Sequence, residues 1–440
     1  MDSERFDIIE TRFLTYLYLI TTMNVMKKLS LSALLLATAA ALPGCSDSEE
    51  NGGGNVPSKF KPIVLTDEEK AVVAQQNAFS FGLFTKIAEE SDADNIMVSP
   101  LSASMCLSML ANGADGETRA EILDAIGFGD KELDAVNRFN SRIAEEFAGA
   151  DRSTTLSLAN SLWIDNAFPV YDSFIAENKS AYGAEIFNVE LTTEKTRKQI
   201  NAWASDKTNG LISEFLKDTL KSPCIFLMNA LYFKGFWTDK FDKSLTAKGE
   251  FHNADGSVSQ PMMMNASGYE FSGCYDDKGA TWGRIPYGNG AYELLVVLPD
   301  EGVNVTDYLA GLTEEEFAAV ESNIHYRYCG RVSFPKFTIE SDMHLNDVMK
   351  ALGMQKAFIP AEADFSRMSN VNSYVSFIKQ ATSITFDEEG TEAAAVTGIG
   401  LDNSAGPSPS NDLIVDRAFA FMIRESSTGS ILFMGAVNKL

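Results

Sequence analysis

Histidine and cysteine are scarce in this 440-residue chain, and neither clusters. The three histidines, His252, His325 and His344, sit in no HExxH, GxSxG or Cys-His setting, so ordinary nucleophilic or metal-assisted catalysis has little to draw on. The five cysteines, Cys45, Cys106, Cys224, Cys274 and Cys329, form no CxxC pair and no dense framework, which argues against a zinc site and a disulfide scaffold. The last four are expected to be small buried hydrophobes. No motif requires a cofactor. Positive charge is also short: 36 Lys and Arg against 61 Asp and Glu leave a net charge of -25. An acidic surface repels phosphate backbones, so nucleic-acid binding is disfavoured.

Linkers and repeats are missing too. Nothing polar or repetitive interrupts the chain between Leu65 and Phe386, and a composition of 45% hydrophobic and 22% charged residues favours one large globular domain. The glycine pairs of Gly127-Phe128-Gly129 and Tyr287-Gly288-Asn289-Gly290 lack the strand-turn-helix setting of a phosphate loop and read as turns. One loose catalytic pattern remains, the SxxK of Ser376 to Lys379, with Lys207-Thr208-Asn209-Gly210 faintly resembling a KTG triplet. A penicillin-binding enzyme would be acylated by a β-lactam at Ser376.

Long apolar runs are limited to one. From Met26, MKKLSLSALLLATAAALPGC carries two lysines, the apolar stretch Leu29 to Leu42, then Pro43, Gly44 and Cys45. The run is too short and too rich in small residues for a membrane span and reads as a secretory signal. Its end resembles a bacterial lipobox, which would make Cys45 the acylated first residue of the mature protein. Residues ahead of Met23 or Met26 have no place in such a signal, so residues 1–44 are expected to be a misplaced start plus signal peptide. The polar, Gly-rich stretch after Cys45 reads as a tether to residue 64. Its acidic residues resemble export signals of Bacteroides-type lipoproteins. The expected location is the outer membrane of a Gram-negative bacterium, on the cell surface or the periplasmic face.

Four helices stand out. Thr66 to Glu69 is a capping box that opens a helix with Val72, Phe79, Leu83 and Ile87 on one face. Ser99-Pro100 starts a second, a serine cap with proline in the first helical position. A third is expected over Thr196 to Leu216 and a fourth over Leu345 to Leu352. Apolar runs at Ile225 to Phe233, Glu293 to Leu298 and Ile431 to Met434 read as buried strands, and Val332, Phe334 and Ile339 partly alternate around Pro335. Helices come early and strands late, which gives an α+β class with extensive antiparallel sheet.

Glu388 to Thr397, EEGTEAAAVT, sends two messages. It is rich in helix formers. As a strand, however, Thr391, Ala393, Ala395, Thr397, Ile399 and Leu401 form one small or apolar face, and Glu392, Asp402 and Ser404 lie on the other. Alone, the segment favours an exposed Ala-rich helix end. A sequence suited to two conformations is also what a fold switch requires.

This segment resembles the loop hinge of the serpin family, as do NIMVSPLSAS from Asn95 with GADGET from Gly113, INAWASDKTNGLISEFL from Ile200, LMNALYFKGFWTDKFD from Leu227, FPKFTIESDMHLNDVMKALGMQKAF from Phe334 and FAFMIRESSTGSILFMG from Phe419. The matches run in the family's order from about Thr66 to the end. The resemblance implies a single large domain over residues 65–440, with three mainly antiparallel sheets, eight or nine helices and an exposed reactive-centre loop at about 388–415. It implies a monomeric suicide inhibitor of serine proteases, with papain-like cysteine proteases a secondary class, and not an enzyme. A protease cleaves the loop and forms its acyl-enzyme. The freed strand then enters the central sheet, and Thr391 to Ser404 would span ~45 Å, enough to cross such a domain. A non-inhibitory serpin acting as a binding or carrier protein is the alternative, which the small-residue hinge opposes.

The resemblance also assigns residues. Glu388, Glu389, Gly390, Thr391, Ala393, Ala394, Ala395 and Thr397 fall on the hinge. Ser99, Pro100, Ser102 and Asn229 fall on the polar shutter beneath the strands that part, and Trp237 falls at the point of first insertion. Gln380 replaces the family's histidine, keeping a donor and an acceptor without a titratable ring. Counting forward from Gly390 places the scissile bond at Ser404-Ala405, whereas counting back from Phe419 reaches Pro407. Proline disfavours cleavage before itself, so the window is Asn403 to Gly406. Small residues there, and no Lys or Arg between Thr391 and Asp416, point to elastase-like or subtilisin-like proteases.

Overall fold

The computed structural model describes residues 60–221, 225–324, 326–391 and 412–440. Nine α-helices occur among them: α1 (Asp67–Glu90), α2 (Pro100–Ala111), α3 (Gly116–Ala125), α4 (Leu133–Gly149), α5 (Asp172–Tyr182), α6 (Glu194–Lys207), α7 (Val305–Ala310), α8 (Glu314–Asn323) and α9 (Asn346–Ala351). The first strands are β1 (Asn95–Val98), β2 (Thr155–Asp165), β3 (Glu185–Val189), β4 (Ile225–Lys234), β5 (Ala247–Lys248), β6 (Phe251–His252), β7 (Val258–Ser259) and β8 (Met262–Tyr275). They continue with β9 (Ala280–Tyr287), β10 (Tyr292–Pro299), β11 (Tyr326–Pro335), β12 (Phe337–His344), β13 (Lys379–Asp387), β14 (Gly390–Thr391), β15 (Leu413–Ile414), β16 (Phe419–Glu425) and β17 (Ile431–Val437).

Nine strands form the largest sheet, in the order β1-β17-β16-β10-β9-β8-β11-β15 with β5 on β8. Its centre, β10, β16 and β17, is buried at every residue, which explains why these segments read as unbroken apolar runs rather than alternating ones. A buried ion pair lies inside it: Arg424 on β16 donates to Glu293 on β10 at 2.6 Å. Two three-stranded units, β3-β2-β4 and β12-β13-β14, make up the rest of the major sheet structure. Among the described residues four hydrogen-bonded sheets stand where three were expected, because these two units are joined by an isolated bridge from Phe236 to Gly390 and the Thr391 N–H bond to Gly235 O rather than by a ladder.

Local sequence chemistry sets the helix starts. Thr66 and Glu69 close the capping box of α1, and the Ser99 side chain caps α2 ahead of Pro100. The third expected helix is shorter than its apolar spacing suggested. α6 ends at Lys207, because Asn209 and Gly210 turn into the left-handed region (φ 51° and 86°) and the Gly210 N–H closes on Ser205 O at 2.7 Å. Leu211 to Leu216 continue as irregular chain. Helices and strands are also more interleaved than expected, since β1 to β4 lie among the early helices. The alternation around Pro335 belongs to two strands in different sheets, β11 and β12. Cys106 and Cys274 are free thiols, half-buried and packed against the core, where buried small hydrophobes were expected. Cys224 and the Cys329 side chain lie outside the described residues.

Candidate functional site

β4 pairs with β2 from Ile225 to Lys234, and β13 pairs with β12 from Lys379 to Phe386. Among the described residues the facing edges of β4 and β13 carry no ladder between them. Their lower ends flank a cavity of about 30 Å³ lined by Leu227, Met228, Asn229, Lys379 and Gln380, with Cys106 of α2 beneath. Burial pushes the Cys106 thiol up to about 12, so it stays protonated at neutral pH.

The upper end is closed by the chain itself. After β13 the chain turns at Glu388-Glu389 and folds back as β14, pairing Asp387 with Gly390 and Phe386 with Thr391. On its other side Gly390 bridges Phe236, and the Thr391 N–H donates to Gly235 O at 2.7 Å. Gly390 has φ 148°, and a Cβ there would lie 2.0 Å from Gly235 O, so only glycine permits this approach. Thr391 is 1% exposed, with its hydroxyl 2.9 Å from Tyr287 OH.

Trp237 holds this turn from below. Its Nε1 donates to Asp387 O (2.8 Å), its backbone N–H donates to Glu389 O (2.8 Å), and its ring stacks on Tyr287 at 4.5 Å. Three lysines clamp the turn. Lys336 reaches Glu388 at 2.8 Å, and Lys240 and Lys243 reach Glu389 at 2.6 and 3.0 Å. Burial pushes both carboxyls up, but the lysine hydrogen bonds outweigh it and hold them below the usual range. Neighbouring Asp387 has no such lysine bond, and burial raises it.

A second polar group lies at the lower end. Gln380 accepts from Ser99 N–H at 2.9 Å and donates to Ser99 O at 2.8 Å, so its amide pairs with that backbone as another peptide would. The Ser99 hydroxyl donates to Leu432 O (2.8 Å) and accepts from Ser102 N–H (3.2 Å). Asn229 stands apart from this trio: its Nδ2 donates to Asn160 Oδ1 at 2.7 Å, while its buried Oδ1 has no partner.

Among the described residues the arrangement is two three-stranded units with no ladder between β4 and β13, and one residue pair, Gly390 and Thr391, seated between them at one end. A family model described as Serpin (serine protease inhibitor) matches residues 74–440. The chain belongs to the serpin family. Serpin-Z10 of Arabidopsis thaliana is 32% identical over 367 residues, covering 80% of this chain and 93% of that protein. The native structure of the thermophilic serpin tengpin superposes with a TM-score of 0.76 at 30% identity, covering 87% of this chain and 98% of that one. Human thyroxine-binding globulin complexed with its hormone reaches the same TM-score at 26% identity, covering 84% of this chain and 99% of that one.

In this serpin the structure brings Glu388, Glu389, Gly390, Thr391 and Trp237 together at the top, and Ser99, Pro100, Ser102 and Gln380 at the bottom. Ala393, Ala394, Ala395, Thr397, Ser404, Ala405 and Cys45 lie outside the described residues. Tyr287, Asn160 and the three clamping lysines escaped sequence reading, because their partners are far away in the chain and no local pattern marks them. The SxxK pattern is taken apart: Lys379 donates to Phe215 O at 2.7 Å and pairs with Asp342 at 2.8 Å, so its ammonium is engaged away from any catalytic use at Ser376.

Proposed function

We propose that this serpin inhibits serine proteases as a suicide substrate, its cleaved loop entering the gap between β4 and β13. The observation that carries the reading is β14: Gly390 and Thr391 already occupy the first two positions of a strand between β4 and β13, and among the described residues no ladder joins those two strands below it. Continuing the pairing of Phe386 with Thr391 sets Ala393 opposite Ile384, Ala395 opposite Thr382 and Thr397 opposite Gln380. Continuing the bridge from Phe236 to Gly390 sets the same residues opposite Phe233, Leu231 and Asn229. Both registers thus bring Thr397 between Gln380 and Asn229, whose buried Oδ1 lacks a donor. A buried acceptor left unpaired costs ~1–3 kcal/mol, and a hydroxyl arriving there would recover it. The intact form is in this sense incomplete, which supports a metastable inhibitor.

Ligand carriage is the second reading, favoured by the likeness to thyroxine-binding globulin. The small inward face of the hinge weighs against it, since a carrier has no need of a loop that fits inside a sheet.

Elastase-like or subtilisin-like proteases are the proposed targets, with papain-like cysteine proteases secondary and Ser404-Ala405 the scissile bond. Mixing with elastase should give an SDS-resistant complex and release a peptide that begins at Ala405. A complex with trypsin, or a released peptide that starts before Asn403, rejects the assignment.

The protein is further proposed to be an outer-membrane lipoprotein anchored through Cys45, its only attachment to the membrane. Expressed with its signal in a Gram-negative host, Cys45→Ala should move from the membrane to the soluble fraction while folding normally; continued membrane association removes the anchor.

A further inference from the structure

We infer that Asn160 on β2 is a positioning residue for the gate: it sets which end of the Asn229 amide faces the gap and ties that amide to the end of α5. The inference rests on the insertion reading above. Asn160 is 6% exposed, and its two amide ends are committed in opposite directions. Oδ1 accepts from Asn229 Nδ2 at 2.7 Å, and Nδ2 donates to Tyr182 O at 2.9 Å. An amide that must donate at one end and accept at the other cannot flip without losing both bonds. Asn229 is therefore held with its NH₂ toward β2 and its unpartnered Oδ1 turned away from it.

The far end of the link is equally fixed. Tyr182 closes α5, and its hydroxyl donates to Asn137 Oδ1 (2.7 Å) and accepts from Asn140 Nδ2 (3.2 Å), both on α4. Asn140 also donates to Ser108 on α2 at 3.1 Å. Leucines in these places would pack without desolvating any polar group. A chain of buried amides instead defines orientation, and it runs from the gate strand to two helices on the other side of β2.

The test compares wild type, Asn160→Ala, Asn229→Ala and the double variant, reading the melting temperatures of intact and loop-nicked forms and the number of serpin molecules consumed per elastase trapped. Asn160→Ala should raise that number about twofold or more, the low end of coupling between residues in contact, and should add nothing once Asn229 is already Ala. Tyr182→Phe, which leaves the Asn160 bonds intact, should act in the same direction more weakly and serves if Asn160→Ala does not fold. If the single variants lower both melting temperatures equally, leave the consumption unchanged and combine additively, Asn160 is merely structural and the inference falls. Failure of the insertion reading shows separately, in wild type alone, as a nicked form that melts with the intact one; it overturns both.

Discussion

A single cut in the loop should raise the melting temperature of this serpin by more than about 10 °C. Below Thr391, among the described residues, β13 and β4 share no ladder across their facing edges. A strand that fills the gap adds backbone hydrogen bonds on both sides, each worth ~1 kcal/mol net, and takes its own small or apolar face, Ala393, Ala395, Ile399 and Leu401, out of water. Ordering the strand opposes this, but even ~5 kcal/mol net, at roughly 2 °C per kcal/mol for a domain of this size, moves the transition by about 10 °C. Calorimetry on intact and elastase-nicked protein reads the effect directly. Coincident melting would mean that the cut loop stays outside the sheet, and the inhibitory reading would be lost.

Replacing Thr391 by Arg should abolish the proposed trapping and leave a substrate. Thr391 is already inside the intact molecule, 1% exposed, its hydroxyl against Tyr287 and its N–H on Gly235. A guanidinium there would have to be buried where the threonine hydroxyl now meets Tyr287 OH, beside the stacked rings of Trp237 and Tyr287, and unpaired burial of a charge costs several kcal/mol. The variant should leave that position vacant, with its loop still offered to proteases. Gel electrophoresis with elastase should then show cleaved serpin and free enzyme in place of a resistant complex, while Thr391→Ser keeps the complex. Full trapping by the Arg variant would show that this position need not be occupied for insertion.

Legibility varied element by element. The first turns of α1 and α2 were readable because a cap and its partner lie three residues apart. α6 was overextended because apolar periodicity continued past Gly210, although that glycine was itself the stop signal. The role of Trp237 as more than core was suggested by family resemblance, but its two hydrogen bonds to the hinge cross 150 residues of sequence and have no local trace. For Gln380, the chemistry of an amide suggested a donor and an acceptor. That both atoms would grip the backbone of Ser99, 281 residues away, while Asn229 turned instead to Asn160, was not readable.

By itself the sequence determined the caps, the buried strands, the family motifs in their order and a hinge of residues small enough for either of two environments. These are local properties, encoded by neighbours within a helical turn or a strand period. Only the tertiary structure decided that β4 and β13 share no ladder among the described residues, that Gly390 and Thr391 sit between their upper ends, and that three lysines clamp the turn. Such pairings are chosen by which distant surfaces become buried together, and burial is a property of the folded chain as a whole.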